Sequence, residues 1–466
     1  MLVSLSVFLH TFFVWNQGFT NDEGAYLYDA RTILGGELPA GDVLTKAPVP
    51  IVFFAIGEII TGKSLFAARI VNGVVSILTV IPLFFLLRAL HSENAARIGA
   101  LFWLLGSGAI VFHTMGHTQA IANFFAVSSL CLFVLGVRLD SGITKFFLAG
   151  VCFALAYASR KTAVAVLVPI ILSWIIFRYS RKESIKVMQI FLLGVMSICI
   201  PWLCIIYILY DVPGIWHMFG GVYGNIVVHA QSIEAWAGSA EHMVQEAARI
   251  GFFYGLLLVA VCIAIMRDRV LVGAGWVASL TVLYWLWPTH LVEYLADFIP
   301  SVVIAGSVAI VSFRLKQWQM YGVIGIFMCT TIASLSSVYI KPWTGMFTRE
   351  AVWQSAQWLT ENVSLQEEIF TAAVIVPYVS GHRVPFHLSH PQWYRYSFIT
   401  EQDKNTFLPP YDQVQQTVQN NISWILQDQL TRYVYPDMSL KAFQKVYSIP
   451  NTTKFRQNPL RVYLRQ

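Results

Sequence analysis

Runs of apolar residues of helical length, broken by short polar segments, fill the first 340 residues of this chain, and the pattern stops abruptly after Tyr339. The runs fall at 67–90, 96–113, 118–137, 146–159, 162–178, 188–209, 251–266, 270–287, 293–313 and 319–340, and Met1 to Trp15 adds one more. A bilayer core of about 30 Å needs about 20 apolar residues per helix. The pattern therefore predicts a polytopic α-helical membrane protein with about 11 transmembrane helices. The first run has no basic stretch ahead of it and no small-x-small cleavage site, so it reads as a first span, although a short one, rather than a removed signal peptide. Residues 49–61 are apolar too, but Pro48, Pro50 and Gly62 bracket them, which predicts a re-entrant or interface-lying helix.

Beyond the spans, residues 341–466 are polar and mixed. Their periodicity predicts a helix at 349–362, a strand at 368–376, a helix near 411–420 and strand-like pieces at 444–448 and 461–465. The chain thus divides into a multi-span part, 1–340, whose first outer loop at 16–66 carries juxtamembrane helices, and a small α/β domain, 341–466. No internal repeat, low-complexity tract, heptad run, P-loop or dinucleotide fingerprint is visible. Three Asn-x-Ser/Thr sequons (Asn362, Asn421, Asn451) matter only in a glycosylating host.

Composition agrees with the pattern. Hydrophobic residues make up 56% of the chain, charged residues 12%, and mean hydropathy is +0.61, whereas a soluble chain carries about 25% charged residues. The net charge of +6 calls for no nucleic-acid partner, because cytoplasmic loops collect Lys and Arg. Arg88, Arg97, Arg138, Lys145, Arg178, Arg181, Lys182, Lys186, Arg267, Arg269, Arg314 and Lys316 fall in alternate loops. The loops between them at 114–117 and 288–292 carry no Lys or Arg, and the long one at 210–250 carries only Arg249. This bias predicts a cytoplasmic N-terminus, with 16–66, 210–250 and the C-terminal domain extracytoplasmic, in a plasma or inner membrane, or the endoplasmic reticulum of a eukaryote. Arg160-Lys161, on an otherwise uncharged outer turn, is the exception. All six cysteines lie in apolar stretches without metal spacing and read as small core hydrophobes.

Chemistry concentrates in the first outer loop. Asn21 to Arg31 is dense in polar groups, and Lys46 follows Gly35-Gly36. Asp22 and Glu23 read either as a pair capping the helix that runs on to Leu34, or as a general base or metal ligand where the first span meets water. Arg31 reads as a partner to one of these acids or as a phosphate contact, and Lys46 as a snorkelling surface lysine or a cation for a lipid phosphate. His113, His117, His217, His229 and His242 fall in outer segments and could join Asp22 or Glu23 around a divalent ion, but their spacing gives no metal signature. Trp216 and Trp236 read as interfacial anchors, and Arg69 and Asn72 as bundle contacts. A secondary transporter would place ionisable groups in mid-membrane and often show an inverted repeat, and neither is seen. A non-catalytic scaffold or receptor would leave the acidic loop unexplained.

The run from Asp22 through Glu23, Gly24, Tyr26, Tyr28, Ala30 and Arg31 to Gly35-Gly36, then Lys46-Ala47-Pro48 and Ser64 to Arg69, resembles the GT-C glycosyltransferases. It resembles in particular the branch holding the protein O-mannosyltransferases and the lipid A aminoarabinose transferase. Ser159-Arg160-Lys161-Thr162-Ala163, His290 with Glu293-Tyr294 ahead of Pro300, and Ser380-Gly381-His382-Arg383 follow in the order that family shows. The resemblance implies inverting transfer of a sugar from a polyprenyl-phosphate donor to an acceptor hydroxyl at the outer face, among membrane lipids. It implies that the acid at Asp22 is the base, with Glu23 beside it, and that Lys46, with Arg31, Arg160 and Lys161, meets the donor phosphate. Tyr26, His290, Glu293 and Tyr294 are the further substrate contacts it implies. Where the family has Lys-Pro-Pro this chain has Lys46-Ala47-Pro48, Thr45 stands where a metal-binding carboxylate can occur, and Gln119 stands where an acid is often found. A requirement for a divalent metal ion is left open by these departures.

Overall fold

The computed structural model describes residues 1–38, 47–62, 64–138, 142–177, 181–218, 233–264, 269–285, 292–340, 347–389, 408–436, 438–449, 452–453, 456–457 and 459–466. Its larger part is helical, as hydrocarbon demands of a chain that must satisfy its backbone polar groups internally. Among the described residues, Ala67–Leu90, Gln119–Arg138, Ile185–Trp216, Leu295–Ser312 and Gln317–Ile340 are long and apolar enough to cross a membrane. Glu93–Leu104 and Ser107–His113, bent by 48°, make a sixth if taken together. The other apolar helices, Leu2–Asn16, Pro48–Thr61, Ile143–Ser159, Lys161–Ile176, Phe253–Ala264 and Val270–Tyr284, run 10–17 residues. Helix length alone therefore supports five or six spans rather than the eleven that hydropathy counts.

Close approach of helices rests on small residues, as is usual where no hydrophobic drive separates helix from lipid. A Cβ on Gly150 would lie 2.0 Å from the Phe191 carbonyl, and one on Gly194 would lie 2.0 Å from the Phe147 carbonyl. The two glycines thus let Ile143–Ser159 and the long helix beyond residue 181 touch backbone to backbone. Deeper in the bundle Phe102, Phe253 and Phe327 form an aromatic triangle with centroids 4.6–4.8 Å apart.

One difference from the sequence reading concerns 210–250. Helix Arg181–Met218 runs past the expected loop start, interrupted at Asp211 (φ 56°), and helix Ile233–Ala264 occupies much of the rest, with non-helical backbone at Gly251. Polar composition there goes with helix in the described residues rather than with loop. The helix Pro48–Thr61 starts on Pro48 and stops at Gly62, in keeping with the punctuation read from sequence. It buries Ile51, Phe54 and Glu58 and turns the apolar side chains of Val52, Ile56, Ile59 and Ile60 outward.

The segments around residues 89–91, 138 and 312 meet at one end of the bundle. Arg138 Nε donates to the Ala89 carbonyl (2.8 Å), and Ser312 Oγ lies 3.5 Å from His91 Nε2. At the other end lie α1's C-terminus (Leu2–Asn16), α2 (Asn21–Leu34) and the turn 114–118.

After residue 347 comes a four-stranded sheet of β1 (Ile369–Phe370), β2 (Trp424–Gln427), β3 (Phe443–Ile449) and β6 (Leu460–Arg465), with β4 (Thr452–Thr453) and β5 (Arg456–Gln457) as a separate ribbon. The order is β1-β2-β6-β3, parallel between β1 and β2 and antiparallel elsewhere. Helices Arg349–Asn362 and Tyr411–Asn420 belong to the same unit. The expected strand at 368–376 is strand for two residues only, and Ile375–Ser380 is helix. The run is buried from Ile369 onward, and a short, mostly apolar run carries no clear period with which to tell strand from helix. This unit packs on α2 in one apolar core that joins Phe19, Tyr28 and Leu27 to Val352, Ile375 and Tyr378, and Phe19 pairs backbone to backbone with Phe347.

Candidate active site

Everything at the polar end of the bundle is arranged around the first turn of α2. Thr20 and Glu23 form a capping box: the Glu23 amide donates to Thr20 Oγ1 (3.3 Å), and the Thr20 amide donates to Glu23 Oε2 (3.0 Å). Glu23 is also gripped in a fork by Arg69, whose Nε and Nη2 donate to its two oxygens at 2.7 and 2.8 Å. The Gly116 amide adds a fourth donor at 2.6 Å. Arg69 spends its remaining protons on the carbonyls of Val14, Gln17 and Gly18. Both residues are buried. Burial works to raise the Glu23 pKa, but the Arg69 charge and these hydrogen bonds outweigh it and hold the carboxyl below its usual value. Asn72 completes the clamp by donating to the carbonyls of Met115 and His117, and Thr20 Oγ1 sits 2.8 Å from His117 Nε2. Glu23, Arg69 and Asn72 thereby pin the end of α1, the start of α2 and the turn 114–118 to one another.

Asp22, one residue earlier, is different. It is half-buried and, among the described residues, makes no hydrogen bond or ion pair. Its charge is felt by Glu293, which stands in the 3-10 turn Val292–Tyr294 leading into helix Leu295–Ser312. Burial, with Asp22 adding to it and His117 and Arg160 opposing, pushes the Glu293 carboxyl above its usual value. Gln119 holds that turn by donating to the Glu293 carbonyl (3.4 Å).

A second cluster adjoins the first through the turn 114–118. Arg160 Nε donates to Asp297 Oδ2 at 2.7 Å, and its Nη1 reaches Thr118 Oγ1 at 3.4 Å. Thr162 Oγ1 (2.7 Å) and the Tyr284 hydroxyl also donate to Asp297 Oδ2. The Arg160 guanidinium lies 5.1 Å from the Tyr294 ring centre, and Tyr294 stacks on Tyr284 at 5.0 Å. The basic pair that broke the charge pattern thus has a reason, since Arg160 balances a buried acid. Asp297 escaped the sequence reading because it lies inside the expected span 293–313; an acid so placed signals a partner. Lys161 sets its ammonium 4.5 Å from the ring centres of both Tyr157 and Trp202.

The structure thus brings Asp22, Glu23, Glu293, Tyr294 and Arg160 into one polar layer. Arg31 is elsewhere: its Nη1 donates to the Tyr378 carbonyl, its Nη2 is 3.7 Å from Glu58 Oε1, and its guanidinium covers the Tyr378 ring at 3.8 Å. It serves the contact between α2 and the C-terminal unit. Tyr26 is buried with its ring 6.3 Å from that of Phe54, facing the helix Pro48–Thr61. Lys46 and His290 lie outside the described residues. Among the described residues no group of three or more His, Cys, Asp or Glu side chains could hold a metal ion, and Glu23, with both oxygens occupied, has no lone pair directed at one.

Residues 45–205 match the family described as dolichyl-phosphate-mannose-protein mannosyltransferase. No curated protein is matched by sequence. Among solved structures, ArnT from Cupriavidus metallidurans bound to undecaprenyl phosphate is similar at TM-score 0.67 and 12% identity, over 99% of this chain and 97% of that one. The apo state of the same protein gives 0.70 at 11% identity, with the same coverage. The apo oligosaccharyltransferase of Archaeoglobus fulgidus gives 0.59 at 10% identity, over 92% of this chain and 69% of that one. The chain thus has the helical fold of these solved structures and carries, over residues 45–205, a segment that matches the dolichyl-phosphate-mannose-protein mannosyltransferase family.

Proposed function

We propose that this protein is an inverting glycosyltransferase that moves a sugar from a polyprenyl-phosphate-linked donor to an acceptor hydroxyl on a protein, glycolipid or polysaccharide, at the extracytoplasmic face of the membrane. The observation that carries this reading is Asp22: a half-buried carboxylate without a partner among the described residues, on a helix end that a buried ion pair holds in place. Its neighbour Glu23 is spent on that clamp, so the two adjacent acids divide structure and chemistry between them. The relative bound to undecaprenyl phosphate lends the donor class.

In this reading Asp22 takes the proton of the acceptor hydroxyl as its oxygen attacks the anomeric carbon. The bond from that carbon to the phosphate oxygen breaks, and the lipid phosphate leaves with the electron pair. Single displacement inverts the anomeric centre and needs no enzyme nucleophile. Arg160 already balances Asp297, so Lys161 and Lys46 are the cations assigned to the departing phosphate. Glu293, which lies on the turn Val292–Tyr294 and whose carboxyl senses the charge of Asp22, is assigned to contact the sugar.

The donor class is tested by supplying purified protein in liposomes with a polyprenyl-phosphate sugar or with the matching nucleotide sugar. Transfer is expected from the first and not the second; transfer from the nucleotide sugar with no lipid carrier present would overturn the mechanism. Orientation has its own test. Leu38→Cys and Leu365→Cys, both exposed, should react with an impermeant maleimide in intact cells, and Lys316→Cys at the opposite end should not. The reverse labelling would place the site in the cytoplasm.

A further inference from the structure

Asp22 rides on α2, and α2 is held along its length by the C-terminal unit as well as by the bundle. A Cβ on Gly24 would fall 2.4 Å from the Cβ of Ile375, so α2 lies directly on the helix Ile375–Ser380. Tyr378 of that helix is fully buried. Its carbonyl accepts from Arg31 and its ring lies under the same guanidinium. Its hydroxyl donates to Glu58 of the helix Pro48–Thr61 and is 3.2 Å from the Ser64 carbonyl. One side chain therefore ties the helix that carries Asp22 to the helix that follows Lys46. A second attachment lies beside it: the Val384 amide donates to the Tyr28 hydroxyl (2.9 Å), and His387 Nε2 is 2.8 Å from Glu37 Oε2. Here Phe386 and His387 hold φ of 57° and 52°, a backbone strain that surrounding contacts must sustain.

We infer that Tyr378 is a positioning residue for the transfer reaction, and that the C-terminal unit works through it as part of the catalytic apparatus by fixing the helix of Asp22 against the segment that follows Lys46. The inference rests on the glycosyl-transfer reading for its kinetic arm only. From Asp22 to Arg31 is nine residues, about 14 Å along a helix, so Tyr378 acts through α2 and touches no substrate. Small displacements of a positioned base are costly to rate, while ground-state binding of the donor is unaffected.

Tyr378→Phe keeps the ring under Arg31 and removes the hydroxyl that reaches Glu58. In full-length protein it is expected to lower kcat about tenfold with KM for the lipid donor within about twofold. Amides of Asn21–Leu34 should exchange with deuterium about tenfold faster, with Leu295–Ser312 unchanged. A residue that merely helps the C-terminal unit fold would leave both readouts at wild-type values once folded protein is selected. If Tyr378→Phe does not accumulate, Tyr28→Phe, which drops the bond from Val384 and the contact with His387 Nδ1 (3.4 Å), carries the same two measurements. Wild-type kcat together with wild-type exchange in α2 would overturn the inference. Faster exchange with no transfer by the wild-type protein would sustain the mechanical coupling and sink the glycosyltransferase reading instead.

Discussion

Asp22→Asn should leave a protein that folds, inserts and binds its lipid donor, yet transfers sugar about 100-fold more slowly or worse. Asparagine has the size of aspartate and can still hydrogen-bond, but it cannot take the proton of an attacking hydroxyl. An alcohol is a poor nucleophile near neutral pH, so the loss falls on the chemical step. The folded state should be unaffected, because Asp22 makes no hydrogen bond or ion pair among the described residues and substitutions away from packed or paired groups usually fall within about 0.5 kcal/mol. The measurement is kcat with saturating donor and acceptor, beside a thermal melt of the same preparation. Turnover near that of the wild type would remove Asp22 from the mechanism. A fall in kcat matched by a fall in melting temperature would make it a structural residue instead.

How far the site could be read from sequence depends on the residue. The density of polar groups at 21–31 located it, because such groups are scarce in the rest of the first 340 residues. Separating Asp22 from Glu23 needed the fold, since Arg69 lies 46 residues from Glu23 and Gly116 lies 93 residues away. One local sign was there: Thr20-x-x-Glu23 is a capping-box pattern, which predicts that the glutamate is engaged with backbone. Arg31 could also have been placed. Nine residues at 3.6 per turn make about two and a half turns, which puts Arg31 on the face of α2 opposite Asp22. That face is where the C-terminal unit sits, and no local pattern announces a contact 347 residues away. Asp297 is hidden in sequence by an apolar surround, and Arg160 stands out as a charge anomaly and a phosphate contact implied by resemblance, while the structure pairs the two. Apolar helices follow from hydropathy because lipid tolerates little else, but their lengths do not, since among the described residues five helices, or six with the bent pair, are long enough to cross a membrane. The strand expected at 368–376 fails where mostly apolar residues run without a clear period.

Glu23→Gln should be the counterpart of the Asp22 variant, with the damage in the fold rather than in the chemistry. The substitution keeps shape but removes the charge opposite a guanidinium that is fully buried, with side-chain exposures of 0% for Arg69 and 2% for Glu23. Breaking one partner of a buried pair leaves an uncompensated charge and costs about 3–5 kcal/mol, enough to empty much of the folded state of a marginally stable domain. A lower melting temperature in detergent and a lower yield of folded protein are the expected results, with turnover per folded molecule falling far less than for Asp22→Asn. The pH dependence has a fixed sign. A carboxyl held below its ordinary value of 4.5 contributes stability that is fully present above that pH and drains away as pH falls through the lower folded-state value. Glu23→Gln should therefore flatten the acid limb of the wild-type stability curve. A double variant, Glu23→Leu with Arg69→Met, removes both charges and should be more stable than Arg69→Met alone, which strands the carboxylate among the Gly116 and Thr20 amides. If Glu23→Gln melts with the wild type and keeps its acid limb, the clamp does not hold α2, and the division of labour between the two acids is wrong.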